Sequence, residues 1–127
     1  GVDQDEKEAI RWYKVAAEQG DPEAQTRLGD MYRDGKGVDQ DGQEAIRWYK
    51  VAAEQGDSRA QNNLGAIYYE EDGVDRDIVQ AYKWFNIAVA SGNEKSRKAR
   101  NMIYKEMTSD QIDKSQALAK DWMEEHQ

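Results

Sequence analysis

Glu8–Asp21 reads EAIRWYKVAAEQGD, and the same letters return at Glu44–Asp57. A looser copy, QAYKWFNIAVASGN, occupies Gln80–Asn93. Both offsets are 36 residues. A fixed period of this size marks a stack of repeated supersecondary units, each too small to bury its apolar face alone. Over a whole period, Gly1–Lys36 matches Gly37–Asp72 at 24 of 36 positions. The repeat therefore decides the architecture before any single element does.

Inside the first copy, Ala9, Trp12, Tyr13, Ala16 and Ala17 recur at helical spacing and form a broad apolar face. Asp5 stands as an N-cap with Glu8 three residues on, the spacing of a capping box, which predicts a helix over 5–19. Gly20 supplies the left-handed residue that ends it. Asp21-Pro22 starts the next helix, with Asp as cap and Pro where its missing N–H costs nothing. That second helix, 22–34, has Ala24, Leu28 and Met31/Tyr32 as its stripe. Gly29 falls mid-helix, at a cost of about 1 kcal/mol relative to Ala. Gly65 repeats it one period later. A repeated mid-helix Gly predicts the close approach of a neighbouring helix, through a Trp or Tyr.

The second unit restarts at Asp41 and Glu44, with helices over 41–55 (Ala45, Trp48, Tyr49, Ala52, Ala53) and 58–71 (Ala60, Leu64, Gly65, Tyr68). The third has Asp77 and Gln80, then Ala81, Trp84, Phe85, Ala88 and a stop at Gly92-Asn93. Beyond Gly92 the pattern decays. Ser96, Arg100 and Asn101 take the places of Ala60, Leu64 and Gly65, and Tyr104 alone keeps its slot. Thr108 and Gln111 open a last helix, about 110–125, with Ile112, Ala119, Trp122 and Met123. Its Ala-x-x-Trp echoes the earlier helices two residues out of phase. Terminal repeats cap a stack with a more polar face, so residues 93–127 read as that cap. The expected fold is all-α: one domain over 1–127, an α/α superhelical solenoid with repeats 1–36, 37–72 and 73–108 and about seven helices.

The function classes are narrowed by composition. Charged residues make up 35% and the net charge is -8, which disfavours nucleic acid, since phosphate binding needs clustered Lys and Arg. It equally disfavours anionic lipid. No apolar run approaches the ~20 residues of a membrane span, so membrane insertion is not expected. With no Cys there are no disulfides or thiolate metal sites, and the compartment stays open: cytoplasmic, periplasmic and secreted locations are not distinguished. The chain opens on Gly1 mid-pattern, which suggests a processed protein or an excised fragment.

The combined motif, A-x-x-W-Y-x-x-A-A-x-x-G-D-x-x-A-x-x-x-L-G-x-x-Y with a G-x-G-V turn, resembles the Sel-one-like repeat (SLR) family, a relative of tetratricopeptide repeats. The likeness is close over residues 1–92. KEMTSDQIDKSQALAKDW at 105–122 resembles the closing helix of many bacterial members. The resemblance implies a superhelix in which the L-G-x-x-Y helices line the concave face and the W-Y-x-x-A-A helices pack outside. It implies an adaptor that holds proteins or peptides. It also leaves the first outer helix uncovered on one side, with Ile10, Trp12 and Tyr13 as a site of weak self-association, or of packing within a longer array.

Other motifs are weaker. Trp12, Trp48 and Trp84 share a phase beside small residues and are assigned to the core between helices rather than to a ligand platform. Asp39-Gln40-Asp41-Gly42 hints at a calcium loop, but the EF-hand register places Gly37 and Trp48 at ligand positions, so these Asp residues are assigned to capping. His126 is the only His and lies two residues from the end, where a flexible tail suits neither metal binding nor catalysis. No cofactor, metal or enzymatic activity is expected.

By the tetratricopeptide analogy, the concave face takes Glu23, Thr26, Asp30 and Arg33 (with Asp34) from the first inner helix. The second supplies Arg59, Asn62, Ala66 and Tyr69 (with Glu70). The third supplies Lys95, Lys98, Met102 and Lys105 (with Glu106). The surface would grade from acidic to basic and receive a protein or peptide. A plain solvated face is the alternative for these positions.

Overall fold

The computed structural model describes residues 2–70 and 76–127, with side chains from residue 4 onward. Its helices are α1 (Val2–Glu18), α2 (Pro22–Asp34), α3 (Gly42–Glu54), α4 (Ser58–Tyr69), α5 (Ile78–Ala90), α6 (Glu94–Tyr104) and α7 (Ser109–Glu125). No strand occurs among the described residues. The all-α solenoid expected from the period is the fold observed. The expected extension of α4 to residue 71 and the boundary between the second and third repeats lie outside the described residues.

Each hairpin turns on the same chemistry. Gly20, Gly56 and Gly92 hold φ of 98, 93 and 94°, a left-handed conformation that lets the chain reverse without strain on a Cβ. Asp21 and Asp57 then accept from backbone N–H groups of the next helix, at 3.2 Å from Glu23 and 3.0 Å from Ala60. Asn93 does the same for Ser96 at 3.2 Å.

Two buried glutamines close the hairpins from inside. Gln25 Nε2 donates to the Ala17 carbonyl at 3.0 Å, and Gln61 Nε2 donates to that of Ala53 at 3.1 Å. Each is a further donor to a helix-end carbonyl that also accepts from the hairpin glycine, Gly20 N–H on Ala17 and Gly56 N–H on Ala53, both at 3.0 Å.

Leu28, Ala45, Tyr49, Ala52, Ala53, Ala60, Leu64, Ile87 and Ala88 are all buried, forming a core that runs through the stack. The mid-helix glycines are crossings. A Cβ on Gly29 would lie 2.6 Å from Tyr49 Cε1, and one on Gly65 2.9 Å from Phe85 Cδ1. The first partner is the expected Tyr. The second is a Phe, because Phe85 takes the slot of Tyr49.

Four expectations are corrected. Asp5 is not an N-cap: α1 runs through it from Val2. The copies Asp41 and Asp77 do cap, because their own N–H groups donate to the carbonyls of Tyr32 and Tyr68, each at 2.8 Å, and this holds them outside the helix. Asp5 has no such anchor among the described residues. Trp12 is not core but stands on the uncovered face implied for the first outer helix: it is 69% exposed, whereas Trp48 and Trp84 are 8% and 1% exposed. Ile10 is the reverse case, buried rather than bare, because α1 turns that side toward α2 and the cluster around Leu28 and Trp48. His126 is not a loose tail. Its ring stacks on Trp122 at 3.8 Å between centroids, and Nε2 lies 2.9 Å from Glu54 Oε2.

The capping boxes expected at Asp41 and Asp77 form by half. Asp41 accepts from Glu44 N and Asp77 from Gln80 N, each at 3.1 Å. Glu44 spends its carboxylate on Arg47 instead, at 2.6 Å. The reciprocal box forms at Thr108 and Gln111.

α7 packs on α5 in the place of a fourth outer helix. Its register shift is real: Ser115 and Ala119 are buried, Ser115 Oγ donates to the Val79 carbonyl at 2.7 Å, and Trp122 meets Trp84 edge-on at 5.6 Å. In α6, Ile103 replaces the lost Leu as the buried apolar residue. It occupies the slot of Ile67, one period earlier.

Candidate functional site: the inner helix row

α2, α4 and α6 stand side by side and are laced together by their polar side chains. Asp30 Oδ1 accepts from the Tyr49 hydroxyl at 2.5 Å and from Asn63 Nδ2 at 3.2 Å. Burial, then the bond to the Asp30 carboxylate, pushes the Tyr49 phenol above its ordinary range. Asn62 Oδ1 accepts from Ser96 Oγ at 2.7 Å, and Asn93 Nδ2 donates to the Ser58 carbonyl at 3.3 Å.

One tie recurs with the period. Arg33 pairs with Glu70 at 3.5 Å, and Tyr69, one period after Arg33, donates to Glu106, one period after Glu70. Arg76 lies over the Tyr69 ring at 4.1 Å and bonds Glu106 at 3.2 Å. The Tyr69 bond, together with Arg76, holds the Glu106 carboxyl below its ordinary range. Lys105 takes the third such slot.

A groove of about 580 Å³ opens across the row, lined by Asp30, Arg33, Asp34, Ser58, Arg59, Asn62, Asn63, Gly92, Asn93, Glu94 and Lys95. It gathers five of the twelve residues expected on this face: Asp30, Arg33, Arg59, Asn62 and Lys95. The others fall elsewhere. Thr26 is buried, with its hydroxyl donating to the Pro22 carbonyl at 2.9 Å. Ala66 packs in the cluster of Tyr82, Phe85 and Ile103. Glu23 is exposed beside Arg27 at 3.8 Å, and Tyr69 is committed to Glu106. Lys98 and Met102 are exposed on α6, Met102 at 69%, and Lys105 is exposed just past it.

Asn63, Ser58, Asn93 and Glu94 line the groove without having been expected there. Asn63 had a signal: it differs from Arg27, its counterpart in the first repeat. Among the described residues no group of three or more His, Asp or Glu side chains is placed to hold a metal ion. Asp41 of the calcium-like stretch is occupied as a cap. No helix among the described residues is long and apolar enough to cross a membrane.

The family profile described as Sel1 repeat matches residues 1–21, 22–57 and 58–93. The chain belongs to the Sel1 repeat family. Its repeats, in the family's frame, begin on the inner helix and end on the outer one: α2 with α3, then α4 with α5. Among solved structures it is similar to c5321, a protective antigen of uropathogenic Escherichia coli strains displaying an SLR fold. That likeness has 39% identity and a TM-score of 0.93, and covers 99% of this chain and 27% of that one. A Sel1 repeat protein from Oxalobacter formigenes is 37% identical over 77% of this chain and 40% of its own, with a TM-score of 0.72. The match thus covers less than half the length of either. A comparison with curated proteins returned no match. Sel1 repeat proteins are typically protein-interaction scaffolds rather than enzymes.

Proposed function

We propose that this chain is a non-catalytic scaffold whose concave inner row receives a protein or peptide. The observation that carries the reading is the groove across α2, α4 and α6, lined by side chains that change between repeats. The outer helix is nearly unchanged between the first two units, while differences concentrate in the inner helices (TRLGDMYRDGK against NNLGAIYYEED). A fixed scaffold under a varied surface has this pattern. Arg59 and Met102 suit a test because both are exposed and carry no tie between helices. Replacing both by Ala should weaken binding of a partner purified on the wild-type chain while leaving the thermal melt unchanged. Unaltered affinity removes this face.

A second reading rests on the exposure of Trp12, 69%, and Val15, 52%, one turn apart on α1. Two large apolar side chains on one bare stripe form a contact for a second copy of the chain or for another repeat. Sedimentation over a range of concentrations decides the self-association form: a monomer at every concentration excludes it, and a dimer abolished by Trp12→Lys supports it.

A further inference from the structure

α6 differs in charge from the other inner helices. It carries Lys95, Arg97, Lys98 and Arg100 against one acid, Glu94, in a chain of net charge -8. α2 has the opposite balance, with Glu23, Asp30 and Asp34 against Arg27 and Arg33, and α4 carries Arg59 alone. Two of the α6 cations are engaged: Arg97 bonds Glu94 at 3.2 Å and Arg100 bonds Asn86 at 3.4 Å. Lys95, Lys98 and, just past the helix, Lys105 have no ion-pair partner among the described residues.

Spacing places them together. Positions 95, 98, 102 and 105 follow one another at three- and four-residue steps, so they run up one side of the helix. Met102, 69% exposed, lies between Lys98 and Lys105 on that stripe. At its lower end Lys95 shares the groove wall with Arg59.

We propose that this stripe binds an acidic peptide segment, with Asp or Glu side chains over Lys95, Lys98 and Lys105 and an apolar side chain over Met102. The proposal rests on the scaffold function given above and names the chemistry of its partner. Charge complementarity selects the occupant, since the unpaired groups on the stripe are ammonium ions around one thioether. The overall negative charge does not forbid it: at physiological salt, charges beyond about 8 Å are largely screened, so the local lysines govern. A long polyanion such as nucleic acid is disfavoured for a different reason: its phosphates would continue past the stripe into direct contact with the acidic remainder of the surface.

Fluorescence anisotropy on the full chain tests this with a short labelled peptide of Glu residues around one Leu. Matched peptides carry Gln or Lys in place of Glu, and a labelled single-stranded oligonucleotide serves as the competing polyanion. The Glu peptide should bind, weaken as salt rises, and lose about tenfold in affinity when Lys95 and Lys98 are both changed to Glu, as expected for two exposed charge pairs turned repulsive. Lys95→Gln with Lys98→Gln should give a smaller loss in the same direction. Circular dichroism should show both variants folded, because neither lysine is buried.

The inference is overturned if the Glu peptide fails to bind, if the Gln or Lys peptide binds as well, if the Lys95/Lys98 variants bind unchanged, or if the oligonucleotide binds more tightly. If the Arg59/Met102 variant loses its purified partner while the Glu peptide shows no preference, the scaffold stands and the acidic-ligand inference falls. If that variant keeps its partner, the scaffold reading falls on its own test.

Discussion

Glu8–Asp21 and Glu44–Asp57 are identical in sequence and differ in what surrounds them. In the second, Trp48 and Tyr49 are buried and the Tyr49 ring lies against Gly29 of the preceding inner helix. In the first, Trp12 stands in solvent and Tyr13 is half-buried. Even the helix starts differ. Asp41 is held as a cap by the Tyr32 carbonyl, while the equivalent Asp5 lies inside α1. The same letters are core in one place and surface in the other, because a solenoid unit buries its outer helix against the unit before it.

This comparison can be broken most sharply at the tryptophans. Trp48→Ala should destabilise by about 3–5 kcal/mol, the range for a large buried aromatic, whereas Trp12→Ala should stay within about 0.5 kcal/mol. Thermal unfolding of the two variants measures the gap, and similar losses would mean that α1 is covered in solution. The inter-helix contact that only the later units have is probed by Gly65→Leu. A Cβ there already meets the Phe85 ring at 2.9 Å. Overpacking should cost about 1–3 kcal/mol or more, read from urea unfolding. An unchanged midpoint would mean that the two helices do not cross at this point.

The caps offer a smaller contrast. Asp41→Ala should cost about 1 kcal/mol through loss of the bond from Glu44 N, and Asp5→Ala about 0.5 kcal/mol at most. Chemical denaturation of both variants compares them directly, and equal costs would return Asp5 to a capping role.

The remaining effect is a gain, comparable in size to a cap. Gln55 Nε2 donates to Gln25 Oε1 at 2.7 Å, but Ser91 replaces Gln55 one period later, and buried Gln61 Oε1 finds no partner among the described residues. Gln55 and Ser91 share nearly the same backbone conformation, with φ of -85 and -84°. Ser91→Gln should therefore add about 0.5–1.5 kcal/mol, the net worth of one hydrogen bond. A melt that does not rise would show that the new amide fails to reach.

Much of the fold was legible because the period carries it. The helix stops at Gly20, Gly56 and Gly92, the Asp and Asn caps that follow, and Leu28 and Leu64 as buried anchors all come from residues whose local chemistry admits few alternatives. The surface was less legible. Thr26 and Ala66 fall on the expected phase yet are buried, and Tyr69 is spent on Glu106, because phase fixes the side of a helix but not how near the next helix comes. Asn63 was overlooked for the same reason. It stands outside the positions borrowed from the tetratricopeptide pattern but reaches Asp30 on the neighbouring helix.

α7 divides along the same line. Its sequence states a helix, a cap at Thr108 and an Ala-x-x-Trp out of phase. That Trp122 packs on Trp84, and that His126 bonds Glu54, 72 positions away, depends on side chains distant in sequence meeting in space. Local propensity, capping and periodicity act over one or two turns, so the sequence by itself determined the repeat, its helices and its stops. Burial, inter-helix hydrogen bonds and the shape of the groove depend on neighbours brought in by packing. Only the tertiary structure could decide which side chains of the uncovered copy of EAIRWYKVAAEQGD are bare, Trp12 and Val15, and which are buried, Ile10 and Ala17.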